Sequence, residues 1–189
     1  MTIHYEFLQP EHFARFVELA NRVHGDNYID LATLETYAQR SVKNHINASI
    51  VALDEERMVG FRLTFAAGQW PFDKWCSVDK WPVAADDMCY FKVIAVDPEY
   101  QGSGVGGELL KRSIEQAKQQ GAKAGLAHVW EESPGNNAVG YFRACGGELV
   151  ARHPGRWLVN VIEDGYVCPI CESGCDCVAA EMVIPFAAD

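Results

Sequence analysis

Apolar residues recur along the chain with two different periods, and each change of period marks an element. Residues 3–8 alternate weakly and predict a short first strand. Pro10 suits a first helical position and opens a stripe of Phe13, Phe16, Val17, Ala20 and Val23 at helical spacing, ending at Gly25. Asp30 is placed to cap a second helix with Leu34, Tyr37, Ala38 and Val42 on its inner face. Period two then takes over. Residues 49–53 read as a strand, 54–57 as a polar turn, and 58–65 as a second strand with Val59, Phe61, Leu63 and Phe65 on one face. Phe91, Val93, Ile94, Ala95 and Val96 form an apolar run that Asp97-Pro98 ends, because proline cannot donate to a ladder. Val105, Leu109, Leu110, Ile114 and Ala117 mark a helix, with Glu108 and Arg112 paired on its wet side and Gly121 as its stop. Residues 124–130 predict a strand, 131–135 a turn, and Asn136 the start of a helix ending near Gly146-Gly147. Residues 148–151 and 156–162 read as strands around a turn at His153-Pro154-Gly155, and 178–186 as a last strand or docked tail.

Residues 67–87 interrupt this order with a long connection holding Trp70, Trp75 and Trp81, three of the chain's five tryptophans. A loop of that length either folds its aromatics onto the core or walls a pocket. The second reading makes Trp75 and Trp81 contacts for a substrate.

Composition narrows the partners. The 189 residues suit one domain with a small appendage, divided here into 1–165 and 166–189. A formal net charge of −10 argues against nucleic acid or an anionic membrane as the main partner. There is no run long enough to span a bilayer and no basic-then-apolar leader at the start, so the expectation is a soluble cytoplasmic protein. Seven cysteines in that compartment are thiols or metal ligands rather than disulfides.

The chemistry centres on residues 90–121. A strand, a glycine-rich turn (Gln101-Gly102-Ser103-Gly104-Val105-Gly106-Gly107) and a helix N-terminus together make an anion site, because the first helical amides lack partners and glycine lets a phosphate approach. No Gly-Lys-Ser/Thr follows, which excludes a Walker A loop. Gly102, Gly104 and Gly107 satisfy a dinucleotide string, but that motif follows its strand directly, without the intervening 97–101. A plain flexible turn is the remaining alternative. The full pattern, V-x-P-E-Y-Q-G-x-G-V-G-x-x-L-L, resembles the acetyl-CoA motif of the GNAT superfamily of N-acetyltransferases, whose core Q/R-x-x-G-x-G/A is here Gln101, Gly104 and Gly106.

That resemblance implies an α/β (α+β) fold with a mixed, mostly antiparallel sheet, a splayed cofactor strand and flanking helices. It implies acetyl-CoA as co-substrate. Ile94, Ala95 and Val96 would lie on the pantetheine, and Gln101, Gly102, Ser103, Gly104, Val105 and Gly106 on the pyrophosphate. N-N-A-V-G-Y-F-R-A-C-G-G resembles the family's second signature, which places Asn137 on the cofactor arm and a tyrosine that protonates the departing thiolate. The family's tyrosine position holds Phe142, with Tyr141 one step earlier, and one helical step turns a side chain by about 100°. Tyr141 is therefore either that acid or a packing residue. An amine acceptor must lose a proton, for which Glu131 is the first candidate, His128 the second, and Asp86, Asp87 and Glu132 the others; each has solvated surface as its alternative.

Cys168, Cys171, Cys175 and Cys177 fall within ten residues of each other. Four thiolates in a short loop suit a structural Zn²⁺, with an iron–sulfur cluster, disulfides or free thiols as alternatives. Cys76, Cys89 and Cys145 read as small core residues. The sequence thus predicts an acetyl-CoA-dependent N-acetyltransferase acting by direct attack on a small-molecule or peptide amine, with a homodimer left open. Its rivals are a non-catalytic acyl-CoA sensor on the same fold and a zinc-module interaction protein.

Overall fold

The structure is a computed structural model that describes residues 2–133, 137–171 and 174–187. The strands are β1 (Ile3–Phe7), β2 (Val42–Lys43), β3 (Ile46–Asn47), β4 (Ile50–Asp54), β5 (Arg57–Phe65), β6 (Met88–Val96), β7 (Ala124–Trp130), β8 (Glu148–Pro154) and β9 (Val178–Pro185). The helices are α1 (Phe13–His24), α2 (Leu31–Arg40), α3 (Val105–Gln119), α4 (Asn137–Ala144) and α5 (Leu158–Glu163). Among the described residues a seven-stranded sheet runs β1-β4-β5-β6-β7-β9-β8. Its neighbours are antiparallel except β6 and β7. This is the mixed, mostly antiparallel sheet expected.

The helical stripes place α1 and α2 on one face. Phe16, Leu19 and Leu34 pack there with Phe61, Leu63 and Phe65. Phe16 is fully buried and stacks on Phe61; each such side chain contributes roughly 1.5–3 kcal/mol. Asp30 caps α2 as read, its Oδ1 accepting from the Thr33 amide at 2.8 Å. On the opposite face α3 buries Val105, Leu109, Leu110 and Ala117, and α4 buries Val139 and Phe142.

Strict alternation misplaces one residue of β5. Ala52 pairs with Gly60 and Leu53 with Met58, so Val59 is an extra residue in a β-bulge. Val59 turns to the α3 face beside Val105 and Leu109, and Met58 joins Phe61, Leu63 and Phe65 instead. Val42 likewise leaves the α2 stripe for β2 and is exposed.

The larger correction lies near the C-terminus. Residues 156–162, read as a strand, lead into the short helix α5; its N-cap Trp157 and its Val161, four residues apart, cover the cysteine loop. The slot beside β7 is filled by β9, with a longer buried run from Ala179 to Ile184. The segment past residue 165 thus supplies an inner strand hydrogen-bonded to both β7 and β8.

Candidate active site

The parallel pairing of β6 with β7 covers only Met88, Cys89 and Tyr90 against Ala124, Gly125 and Leu126. Beyond that point the strands part. Just past the last pair, Phe91 lays its ring over Gly125, in the space a side chain there would need: a Cβ would lie 2.2 Å from Phe91 Cε2. Into the gap opens a cleft of about 2020 Å³ that runs from the glycine loop, past Ile94, Ala95 and Val96, to the α1–α2 connection and the cysteine loop.

The loop is held from behind. Asp97 is buried, caps the turn by accepting from the Glu99 amide, and takes Arg22 at 2.6 Å and Arg57 at 2.8 Å. Burial opposes its charge, but the Arg57 and Glu99 hydrogen bonds and the Arg22 charge hold its carboxyl below the usual range. Gly102 and Gly104 have φ of 76° and 90°, a region only glycine enters cheaply. Gly104 is the N-cap of α3, so the amides that follow have no helical carbonyl to bond. Gln101, Gly102, Gly104 and Gly106 line the cleft. Val105 turns into the core, and the Ser103 hydroxyl is spent on the Tyr100 carbonyl.

On the facing wall, Asn137 is exposed at the start of α4 and lines the cleft. Asn136, the expected first residue of that helix, lies outside the described residues. Ser133, which the sequence reading passed over, has its hydroxyl accepting from the Ala138 amide. Phe142 is in the core, whereas Tyr141 lines the cleft and donates to the Gly106 carbonyl at 2.7 Å. Burial pushes the Tyr141 phenol up, and the Arg62 guanidinium pulls against that. Arg62 is 2% exposed, and its Nε has no partner among the described residues. Cys145 lies in the same wall, so of the three isolated cysteines Cys89 alone is fully buried.

The expected proton acceptors separate. Glu131 is not brought to the cleft; both its oxygens receive Arg152 Nε, at 2.8 and 3.0 Å. Glu132 accepts from the Val178 amide, and Asp87 pairs with Lys123 at the closed end of the splay. Asp86 is exposed outside the cleft. His128 does line it. Its Nε2 donates to the Trp75 carbonyl at 2.7 Å, which leaves Nδ1 to accept from Tyr90 Oη at 3.0 Å. Burial first, then the Arg156 charge, lowers its pKa to about 4, so the ring is neutral near pH 7. His24, unnoticed in the sequence because nothing around it marks a site, reaches the cofactor strand. Its Nε2 donates to the Ile94 carbonyl at 2.9 Å, and burial lowers its pKa to about 4 as well.

Of the loop tryptophans only Trp75 faces the cleft. Trp70 stacks on Tyr90 and donates to the Met88 carbonyl; Trp81 donates to buried Glu181. Trp81 is thus a core residue rather than the substrate contact expected.

The four thiols of Cys168, Cys171, Cys175 and Cys177 all lie within 4.8 Å of one another. Three are almost fully buried, under Trp130, Trp157, Val161 and Tyr166. A tetrahedral ion with metal–sulfur bonds of about 2.3 Å needs sulfurs about 3.8 Å apart; Cys168 and Cys177 stand at 3.9 Å, Cys171 and Cys177 at 3.4 Å. The donor set and spacing fit Zn²⁺. The loop is also tied to the far wall of the cleft: Tyr166 donates to the His24 carbonyl, the Val167 amide to Asp26, and Asn27 to Gly165.

The family model described as acetyltransferase (GNAT) matches residues 11–146. No curated protein matches the sequence. Among solved structures, the ribosomal-protein-S18-alanine N-acetyltransferase from Escherichia coli is 14% identical with a TM-score of 0.70, over 100% of this chain and 96% of that one. Ard1 from Thermoplasma volcanium is 13% identical with a TM-score of 0.70, over 100% of both chains. The yncA protein from Salmonella typhimurium, solved with its cofactor acetyl-CoA, is 17% identical with a TM-score of 0.68, over 100% and 96%. At these identities the likeness is one of fold.

Proposed function

The chain belongs to the acetyltransferase (GNAT) family and is an acetyl-CoA-dependent N-acetyltransferase, and we propose that its acetyl group passes directly from the thioester to an amine bound in the cleft. The observation that carries this is the early end of β6–β7 pairing next to a glycine-capped helix N-terminus. Ile94, Ala95 and Val96 would hold the pantetheine, the amides of residues 101–106 the pyrophosphate, and Asn137 the arm. The amine nitrogen attacks the thioester carbon, and the carbonyl oxygen becomes an oxyanion met by β6 amides. The amine enters neutral, its proton leaves to water in the cleft, and Tyr90 Oη, held by the neutral His128 Nδ1, orients the nitrogen. The C–S bond then breaks, the thiolate takes the Tyr141 proton, and solvent later returns a proton to Tyr141. The acceptor is a small molecule or a peptide. Zinc on the four cysteines pins the loop before β9 and leaves no coordination position open for catalysis.

The test is calorimetry with acetyl-CoA, followed by turnover on an amine panel. Gly106 lies in a helix with ordinary space for a Cβ, 3.6 Å from the Tyr141 ring and 3.7 Å from Ile94 and Val96. Gly106→Ala is accommodated by that space, and Gly106→Val adds methyl groups toward the cleft. Acetyl-CoA affinity falls at least tenfold in the valine variant, with thermal denaturation of both variants checking that the fold is kept. Unchanged affinity in the valine variant would remove the loop from cofactor binding. Binding without turnover of any amine would favour a sensor.

A further inference from the structure

Lys92 plays no part in the chemistry above, and its position calls for an explanation. It is the extra residue of a bulge in β6: Leu63 pairs with Val93 and Thr64 with Phe91, so Lys92 has no partner residue. The bulge turns its side chain into the cleft, with Nζ over the Tyr37 ring at 5.2 Å. Among the described residues its ammonium has no hydrogen bond and no ion pair. Burial, then the charges of Arg156 and Arg40, lower its pKa to about 8, and the single opposing carboxylate is Asp73. Asp73 is itself held by Arg156 at 3.0 Å and by the Trp75 amide. The other carboxylates lining the cleft are engaged too, Asp30 by the Thr33 amide and Asp164 by Asn160. The Tyr28 and Tyr37 hydroxyls line the same wall, and among the described residues neither makes a hydrogen bond. Lys92, Tyr28 and Tyr37 thus line one cleft, which the rings of Trp75 and Tyr90 and the Arg156 guanidinium line as well. A half-buried cation with no ion pair is an incomplete arrangement that an anion entering the cleft would complete.

We infer that the acceptor is a small amine that also carries a carboxylate on an apolar body, with the carboxylate seated on Lys92, Tyr28 and Tyr37. The inference rests on the N-acetyltransferase reading of the same cleft and adds the acceptor's class. A charge-assisted hydrogen bond is worth about 1.5–3 kcal/mol, or roughly 10- to 150-fold in affinity.

Two measurements on the full, metal-loaded chain test it. The first is steady-state acetylation of L-phenylalanine, L-phenylalaninamide and phenethylamine by the wild type and by Lys92→Met, which keeps the side-chain length. The wild type prefers the carboxylate-bearing amine by at least tenfold in kcat/KM, and the variant brings that ratio to within about threefold of one. The second is binding of 3-phenylpropanoate and its amide, followed by calorimetry, which needs no turnover. The acid binds more tightly, and Lys92→Met abolishes the difference. Turnover with no carboxylate preference, or a preference that survives in Lys92→Met, overturns the anion seat and leaves the transferase standing. Lys92-dependent binding of the acid with no turnover of any amine leaves the anion seat standing and overturns the transferase.

Discussion

Gly125 shows how much a single position governs. It is the last residue but one of β7 to pair with β6, and the Phe91 ring lies where its side chain would be. Gly125→Ala forces the ring aside or presses the strands apart, at a cost of about 1–3 kcal/mol. A melting temperature several degrees lower is expected, together with weaker acetyl-CoA binding, both measurable by thermal denaturation with and without the cofactor. Gly140→Ala is the control, since nothing lies within 4 Å of a Cβ there and the site is inside α4. Equal effects from the two substitutions would deny the Phe91–Gly125 contact its role.

Elements differ in how openly the sequence declares them. The stretch from Asp97 to Gly121 was readable because each of its signals is local: a proline after the strand, glycines at positive φ, and one apolar helix face. The Val59 and Lys92 bulges were not, since a bulge depends on the partner strand's register. Nor could local pattern decide between residues 156–162 and β9 for the place beside β7. Both are apolar, and the choice is one of topology. The engagement of Glu131 by Arg152 from β8 was hidden for a similar reason, since it depends on a strand distant in sequence. The cysteine loop is an element whose grip reaches the cleft through Tyr166 and Val167. If zinc fills that loop as proposed, stripping it, or Cys175→Ala, should therefore speed hydrogen exchange at residues 25–30 and raise the acceptor's KM more than that of acetyl-CoA. Exchange unchanged at those amides would show that the loop holds without metal.

For the molecule as a whole, acid is the condition that exposes its buried histidines. His24 and His128 have pKa values near 4 when folded, depressed chiefly by burial, against 6.5 in the open chain. Between those limits the unfolded chain binds protons that the folded one refuses, so stability rises with pH across that window. Lowering the pH from about 6.5 to about 4 should cost roughly 3 kcal/mol for each ring. Asp97, with its depressed carboxyl, adds a further loss as the pH falls through its folded value. Denaturant titrations at several pH values check this, and His128→Gln should flatten the profile. A wild-type curve level across the window would contradict the burial of both rings.

The place of β9 bears on how the protein is made. The two strands it joins, β7 and β8, leave the ribosome before it, with the thiol loop still to come. Until residue 185 has emerged, their facing edges are unsatisfied and open to pairing with other nascent chains. The loop's ion would bring β9 to that opening, so cells starved of metal during synthesis should lose this protein to aggregates, while protein finished beforehand persists.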